Sequence, residues 1–483
     1  MECFGPIAIR CRAAALAGSV ILAGCTVGPE YVTPKPVMPK AYAEAMPVAP
    51  ETGPSLSWWT SFHDATLDEL VAATLQGAPD LARARARLRE ERALRGIAAA
   101  AEYPVMDAGG GYDRSRGSEN VPTGVPPGGL GPGAYGSLWQ AGFDASWELD
   151  VFGGPRRAVE SADAGYQAAA ADQADVELSL LAEVARNYME LRSGQRRLAV
   201  ARRNLALQQD VAHIVQSQLE AGLASRLDDL RAQAEAADTE ALIPGFEAQV
   251  RADIYRIGAL AGGIPEDLAA KLDVPSKIIY TVPEIPVGLP SDLLLRRADI
   301  RAAERRIAAA NARIGVATAD LYPHFSLTGI AGLETLDAKS FPDISSGYFA
   351  VGPSVRWLIF DANRVHFQID AERARTDQAA ATYQAVVLGA LRDVETALTS
   401  CAHSQERAQG LAKEVAADRQ AVEQATHLYA KGLTDFLAVL DVERSLQAAE
   451  DKQAVNDGDE AVAAVSLYKA LGGGWIADSS SRP

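Results

Sequence analysis

Two periodicities alternate along this chain. Through residues 135–151 the odd positions are mostly apolar: Tyr135, Trp139, Ala141, Phe143, Trp147, Leu149 and Val151. The even positions are mostly small or acidic, as in Gln140, Asp144, Glu148 and Asp150. A period of two with one apolar and one polar face predicts a strand. Gly347, Phe349, Val351, Pro353, Val355, Trp357 and Ile359 repeat the pattern. Partner strands are expected near 105–116, which is glycine-rich, and near 324–336, where Phe325, Leu327, Ala331 and Leu333 alternate with His324, Ser326, Thr328 and Glu334. A Gly/Pro-rich loop follows the first partner strand over 118–134, and a shorter one follows the second near 338–345.

Elsewhere the period lengthens. Leu178, Leu181, Val184, Tyr188 and Leu191, and likewise Leu388, Leu391, Val394 and Leu398, recur at three and four, as one face of a helix requires. No proline falls between Pro155 and Pro244, or between Pro353 and Pro483. Each stretch breaks once, at Gly222-Leu223-Ala224-Ser225 and at Gly432-Leu433-Thr434-Asp435. Gly can end one helix in a left-handed conformation, and Ser or Asp can cap the next, so each break predicts the tip of a helical hairpin. Pro244-Gly245 predicts a further interruption or kink.

These parts occur in the same order twice. Residues 139–263 match 349–473 at an offset of 210, with Trp147 on Trp357, Gly222 on Gly432 and Gly262 on Gly472. An earlier block matches at 219, with Tyr103-Pro104 on Tyr322-Pro323, and the longer first loop accounts for the difference. Such an internal repeat predicts a unit built twice with pseudo-symmetry. Helices over 156–221 and 364–431 would each reach roughly 100 Å at 1.5 Å per residue. The return helices 225–261 and 435–471 cover roughly 55 Å, and the leading helices 80–102 and 299–321 roughly 35 Å. Stacked end to end, the two shorter ones match the long one. The expected organisation is a leader, 1–24; an extended segment, 25–63; a first repeat, 64–263, with a β-hairpin at 104–152; an equatorial connector, 264–298; a second repeat, 299–473, with a β-hairpin at 323–361; and a tail, 474–483.

Composition narrows the setting. Net charge is −17 over 483 residues, with no basic run to suggest a nucleic-acid partner. Arg10 and Arg12 precede an apolar run that ends Leu22-Ala23-Gly24-Cys25. That run is too short to span a bilayer and has the form of an export signal. Small residues before a Cys predict lipidation of Cys25, whose acyl chains would anchor the chain at roughly 0.8 kcal/mol per buried methylene. With Cys3 and Cys11 removed and Cys25 acylated, only Cys401 remains, so no internal disulfide is expected. The strands then admit two readings: a sheet on an ordinary core, or the wall of a transmembrane barrel with aromatics (Trp139, Trp147, Phe349 and Trp357) at its interfaces. Four strands cannot close a barrel, and open edges in lipid are costly, so the second reading requires an oligomer.

Leu22-Ala-Gly-Cys25, Val27-Gly-Pro-Glu-Tyr31, Trp58-Trp59, Trp147-Glu-Leu-Asp-Val-Phe-Gly153, Leu289-Pro-Ser-Asp-Leu-Leu-Leu-Arg-Arg-Ala-Asp-Ile300, Phe360-Asp361 and Tyr468-Lys-Ala-Leu-Gly-Gly-Gly-Trp475 resemble the TolC-like outer-membrane efflux proteins, in particular the OprM/NodT-type lipoprotein channels. Ala298 and Ala78 depart from the family's usual Pro and Asn. The resemblance implies a mixed α and β membrane protein: a homotrimer with a twelve-stranded transmembrane β-barrel, four strands per protomer, continuous with a long α-helical barrel. It implies residence in the outer membrane of a Gram-negative bacterium. It also implies a periplasmic adaptor and an inner-membrane resistance-nodulation-division pump as partners, with the two hairpin tips as adaptor contacts. The family's periplasmic gate falls on Leu437, Asp441 and Arg444, and the first repeat carries Arg231 where the second has Asp441. A type I protein secretion duct and a non-channel periplasmic lipoprotein are the alternatives. No catalytic residue, metal site or cofactor other than the lipid on Cys25 is expected: the six histidines lack ligand spacing, and no phosphate loop or nucleophile elbow appears.

Overall fold

The computed structural model describes residues 26–44, 57–120, 133–274, 285 and 287–473. Cys25, the leader, the loop tip at 121–132, most of 275–286 and the tail from 474 lie outside the described residues. The described chain forms two compact units, one from residues 26–34, Arg89–Ala168 and Glu304–Thr382, the other from Lys35–Leu88, Ala169–Ala303 and Tyr383–473.

The elements follow the expected order. After a short 3-10 turn (Trp58–Phe62) come α1 (Ala65–Gly77), α2 (Pro79–Ala100), β1 (Val105–Arg116), β2 (Tyr135–Leu149), α3 (Gly154–Glu220), α4 (Arg226–Ala261) and α5 (Pro265–Leu272). A one-turn α6 (Leu293–Arg296) leads to α7 (Ala298–Ala319), β3 (His324–Thr335), β4 (Gly347–Arg356), α8 (Arg364–Ala430) and α9 (Phe436–Ala470). The two long helices have 67 residues each. Helix α7 starts at Ala298 without a proline.

Two expectations are corrected. Strand β4 ends at Arg356, so Trp357 and Ile359 lie past the strand; Phe360 and Asp361 follow, and Asp361 accepts from the Val365 N–H (2.9 Å) at the start of α8. Pro244 does not interrupt its helix, because α4 runs unbroken from Arg226 to Ala261. Pro244 is solvent-exposed, so the carbonyl it cannot bond is free to meet water.

In the first unit the strands form one antiparallel meander, β1-β2-β3-β4. The central β2–β3 pair joins the two repeats and runs in register from Trp139↔Thr335 to Leu149↔Phe325. Directly opposed residues share a face. One face therefore carries Met106, Tyr112, Trp139, Phe143, Trp147, Leu327, Phe349 and Val355. The other carries Asp107, Asp144, Glu148, Ser326, Thr328 and Ser354. The apolar face is left open, with Phe349 81% exposed. Among the described residues β1 and β4 each pair on one side only, so both edges are open.

In the second unit the return helices end where the leading helices begin. Gly262 (φ +73) closes α4 against Gly77 and Ala78, just before α2. Gly472 (φ +92) does the same against Arg296, just before α7, and Arg297 Nη1 donates to the Ala470 carbonyl (3.0 Å). A Cβ on Gly262 would fall 2.1 Å from the Gly77 oxygen. End-to-end stacking therefore occurs in both repeats and depends on a glycine at the joint. Trp58 is fully buried here, stacked on Tyr468 at 5.3 Å. Among the described residues no helix is long and apolar enough to cross a membrane.

Candidate functional site

Three regions bear on function: the hairpin tips, the helix faces beside them, and the base of the sheet. At the tips the backbone is the same in both repeats. Gly222 and Gly432 both sit at φ +71. The N–H groups of Gly222 and Leu223 donate to Leu219 and Gln218, and those of Gly432 and Leu433 to Tyr429 and Leu428. This is the paired 5→2 and 6→1 closure of a helix end, and it requires the left-handed residue that glycine supplies. Ser225 then accepts from Asp228 N–H (3.1 Å) while Asp228 accepts from Ser225 N–H (3.2 Å), a reciprocal capping box. Asp435 accepts from Ala438 N–H (3.0 Å). The tips project Leu223 and Leu433, 80% and 70% exposed, while Ala224 packs inward. Thr434 is half-buried.

Behind the tips Phe436, Val439 and Leu440 of α9 join Val215 and Ala232 in a small core. Burying that side of α9 turns Leu437, Asp441 and Arg444 outward, and all three are exposed. Arg444 is nonetheless tied down: its guanidinium donates twice to Glu235 of α4, at 2.8 and 2.6 Å. Glu235 is 6% exposed, so Arg444 neutralises a carboxylate that burial would otherwise penalise. That bond, together with the nearby Asp441 charge, holds the guanidinium pKa above its usual value. Next to it, burial and the charge of Glu235 push the Glu443 carboxyl up to about 7. The family resemblance flagged Leu437, Asp441 and Arg444; Glu235 went unflagged because nothing local links it to Arg444, 209 positions on, and Glu443 because only packing beside Glu235 sets it apart.

At the base of the sheet two of the tryptophans expected at the interfaces hydrogen-bond to the backbone. Trp147 Nε1 donates to the Glu102 carbonyl (2.8 Å), just past the end of α2. Trp357 Nε1 donates to the Leu321 carbonyl (3.1 Å), just past the end of α7. These pairs coincide under the repeat, so each indole fixes a helix-to-strand corner. Trp139 lies elsewhere on the same face, against Tyr112 at 4.4 Å between ring centroids.

The Val27–Tyr31 segment is locked beside this corner. Val27 N–H donates to the Phe152 carbonyl (3.1 Å), and Arg157 Nε donates to the Val27 carbonyl (3.2 Å). Arg157, itself buried, bonds Glu30 (2.7 Å) and Glu160 (2.6 Å). Asn311 donates to the Pro29 carbonyl (3.0 Å), and Tyr31 bonds Glu304. Gly28, at φ +92, packs so closely that a Cβ would lie 2.5 Å from Gly315 Cα. Thr26 in turn lies against Gly153, between β2 and α3. The motif thus has a partner for nearly every residue, and Cys25, outside the described residues, is one position away.

The parts of the site are an oily sheet face, a charged helix face and two presented tips. Known proteins share the fold. The family described as outer membrane efflux protein matches residues 70–263 and 289–473. The toluene efflux pump outer membrane protein TtgF of Pseudomonas putida is 32% identical over 478 residues, covering 97% of this chain and 98% of that one. The pyoverdine export outer membrane protein OpmQ of Pseudomonas putida is 31% identical over 440 residues, covering 89% and 90%. The solved structure of the outer-membrane channel OprN superposes with a TM-score of 0.86 at 38% identity, covering 93% of this chain and all of that one. Architecture, motifs and matched length agree, and the chain belongs to the outer membrane efflux protein family.

Proposed function

We propose that this chain is the passive outer-membrane exit duct of a tripartite efflux pump, acting as a homotrimer for small toxic compounds. The observation that carries the reading is the four-stranded sheet: one face apolar and open, the other polar, both edges unpaired. Within lipid an open edge leaves backbone groups without partners at several kcal/mol each. Three copies pairing β4 of one with β1 of the next would give twelve strands, satisfy every edge, turn the oily face to lipid and enclose a polar lumen. Exposed Leu94 and Ile97 on α2 and Phe367 on α8 are consistent with further contact between copies. The reading predicts a heat-sensitive trimer in detergent that conducts ions in planar bilayers. A folded monomer, stable in buffer without detergent, would refute it.

In this reading Leu437, Asp441 and Arg444 face the axis, and three Asp441 carboxylates form a negative constriction. The Arg444–Glu235 bond would hold the second hairpin closed against the first. Asp441→Ala and Arg444→Ala are expected to raise single-channel conductance, Arg444→Ala the more, because it also releases Glu235. The exposed Leu223 and Leu433 suit the tips Gly222–Ser225 and Gly432–Asp435 to an apolar groove on a periplasmic adaptor, itself joined to a resistance-nodulation-division pump. The locked Thr26 next to β2 suits a lipid on Cys25, whose acyl chains would enter the bilayer beside the barrel. A duct needs no catalysis; the pump supplies the free energy.

A further inference from the structure

The oily face of the sheet is charged at one place only. The register puts all five strand carboxylates, Asp107, Asp113, Asp144, Glu148 and Glu334, on the polar face, together with His324 and Arg356. Arg114 and Arg116 alone fall on the apolar face, opposite Ser137 and Tyr135. An arginine turned to lipid is costly at mid-bilayer and nearly free at the interface, so the height of this pair on the sheet decides what it can touch. All four strands meet their helices at the end marked by Trp147, and the pair lies near the other end. Ser137 is ten positions from Trp147, which is roughly 34 Å along a strand and roughly 26 Å of height at a tilt of about 40°. A lipid-facing apolar band is about 25 Å tall and bordered by aromatics. Tyr112, Tyr135 and Trp139 border this one. With the sheet in a bilayer, the arginines stand among them at headgroup level.

The two side chains also converge. Residues two apart on a strand are roughly 7 Å apart. Both guanidinium groups lie over the Tyr135 ring, 5.8 and 5.5 Å from its centroid, so they stand no more than about 11 Å from each other. Both side chains are exposed. Arg116 bonds Glu119 in a pair exposed on both sides (52% and 67%), and such a pair is weakly held. Among the described residues Arg114 has no carboxylate partner, although the chain carries a net charge of −17. One unpaired and one loosely held guanidinium, both planar forks of donors, match the oxygens of a phosphate.

We propose that Arg114 and Arg116 bind the phosphate of an anionic lipid headgroup in the leaflet away from the helices. The acyl chains of that lipid lie along Tyr112, Ala108 and Phe143, the last 59% exposed. The contact fixes the height of the sheet in the membrane. The proposal rests on the duct reading, which turns the oily face to lipid, and deepens it by naming the class of lipid.

The test is native mass spectrometry of the purified, delipidated full-length protein in non-ionic detergent. It is titrated with dioleoyl phosphatidic acid or with dioleoylglycerol, which has the same chains and no phosphate. The expected result is saturable binding of phosphatidic acid at least tenfold tighter than of dioleoylglycerol, weakened at least tenfold in Arg114→Gln/Arg116→Gln. Arg114→Gln alone is expected to weaken it about fivefold, the effect of one arginine near an anionic surface, and serves if the double variant does not fold. Equal binding of the two lipids, or phosphatidic acid binding unchanged in the variants, overturns the proposal. So does displacement of the lipid by inorganic phosphate at matched concentration, which would make a soluble ion the ligand. The same spectra count the copies. A monomer that binds phosphatidic acid through these arginines would sink the duct and leave the headgroup site standing; a trimer without the preference would sink the site alone.

Discussion

At the residue scale the tip of α9 concentrates charge in a place only partly open to water. Glu443 has its carboxyl pushed up to about 7 by burial and by Glu235. The folded pKa lies above the unfolded one, so the folded state holds the extra proton between them. Stability contributed by protonated Glu443 is present at low pH and is lost as pH rises through about 7. Hydrogen exchange over residues 436–447, corrected for the intrinsic rate, should therefore be slower at pH 6 than at pH 8. Glu443→Gln should remove most of that difference; a pH dependence that survives the substitution would mean that another group is responsible. The caps at Ser225 and Asp435 were legible in the sequence because a cap bonds only two or three residues ahead. The Arg444–Glu235 bond was not, because it depends on how two hairpins pack.

At the element scale the corners between helix and strand are made twice by the same means. Trp147 and Trp357 each donate their indole N–H to a carbonyl just past the end of the preceding helix. Phenylalanine at either position keeps most of the ring and loses the bond, a cost of about 0.5–1.5 kcal/mol. Trp147→Phe and Trp357→Phe should each lower the temperature at which the proposed trimer dissociates in detergent, and the double variant should lower it by about the sum. Unchanged dissociation would confine both indoles to contact with lipid. Element boundaries were legible to within two or three residues, because alternation, proline and tip glycines are local signals. Strand β4 is shorter than its alternation suggested. Gly347, Phe349, Val351, Pro353 and Val355 continue in step to Trp357 and Ile359, but ladder pairing stops at His324↔Arg356 where β3 begins. Alternation records which way side chains face; it does not record where the partner strand runs out. Likewise Pro244 carried a local signal for a break that an exposed position on a long helix absorbs.

At the scale of the whole molecule the duplication was the most legible feature, and it explains both the matched long helices and the matched glycine joints. Its consequence for assembly was less visible. No pattern within one repeat indicates that β2 and β3, separated by α3 to α7, pair with each other. The Val27–Tyr31 segment was legible as a motif but not as a latch, since its partners Arg157, Glu304, Asn311 and Gly315 lie well over a hundred residues away. Gly28→Ala should loosen that latch, because a left-handed conformation costs a non-glycine residue about 1–2 kcal/mol and the added carbon meets Gly315. Limited proteolysis should then cut the segment faster than in the unaltered protein; equal rates would show that Gly28 is replaceable.

The open ladder has an implication for biogenesis. A newly exported copy would carry two unsatisfied backbone edges and a greasy surface, the features that drive promiscuous aggregation. Safe passage to the bilayer then requires either that a chaperone shields those strands in transit or that they zip together only as sister copies arrive. Insertion and oligomerisation would in that case be one event, and a cell short of sister copies should accumulate degraded chains in place of half-built pores.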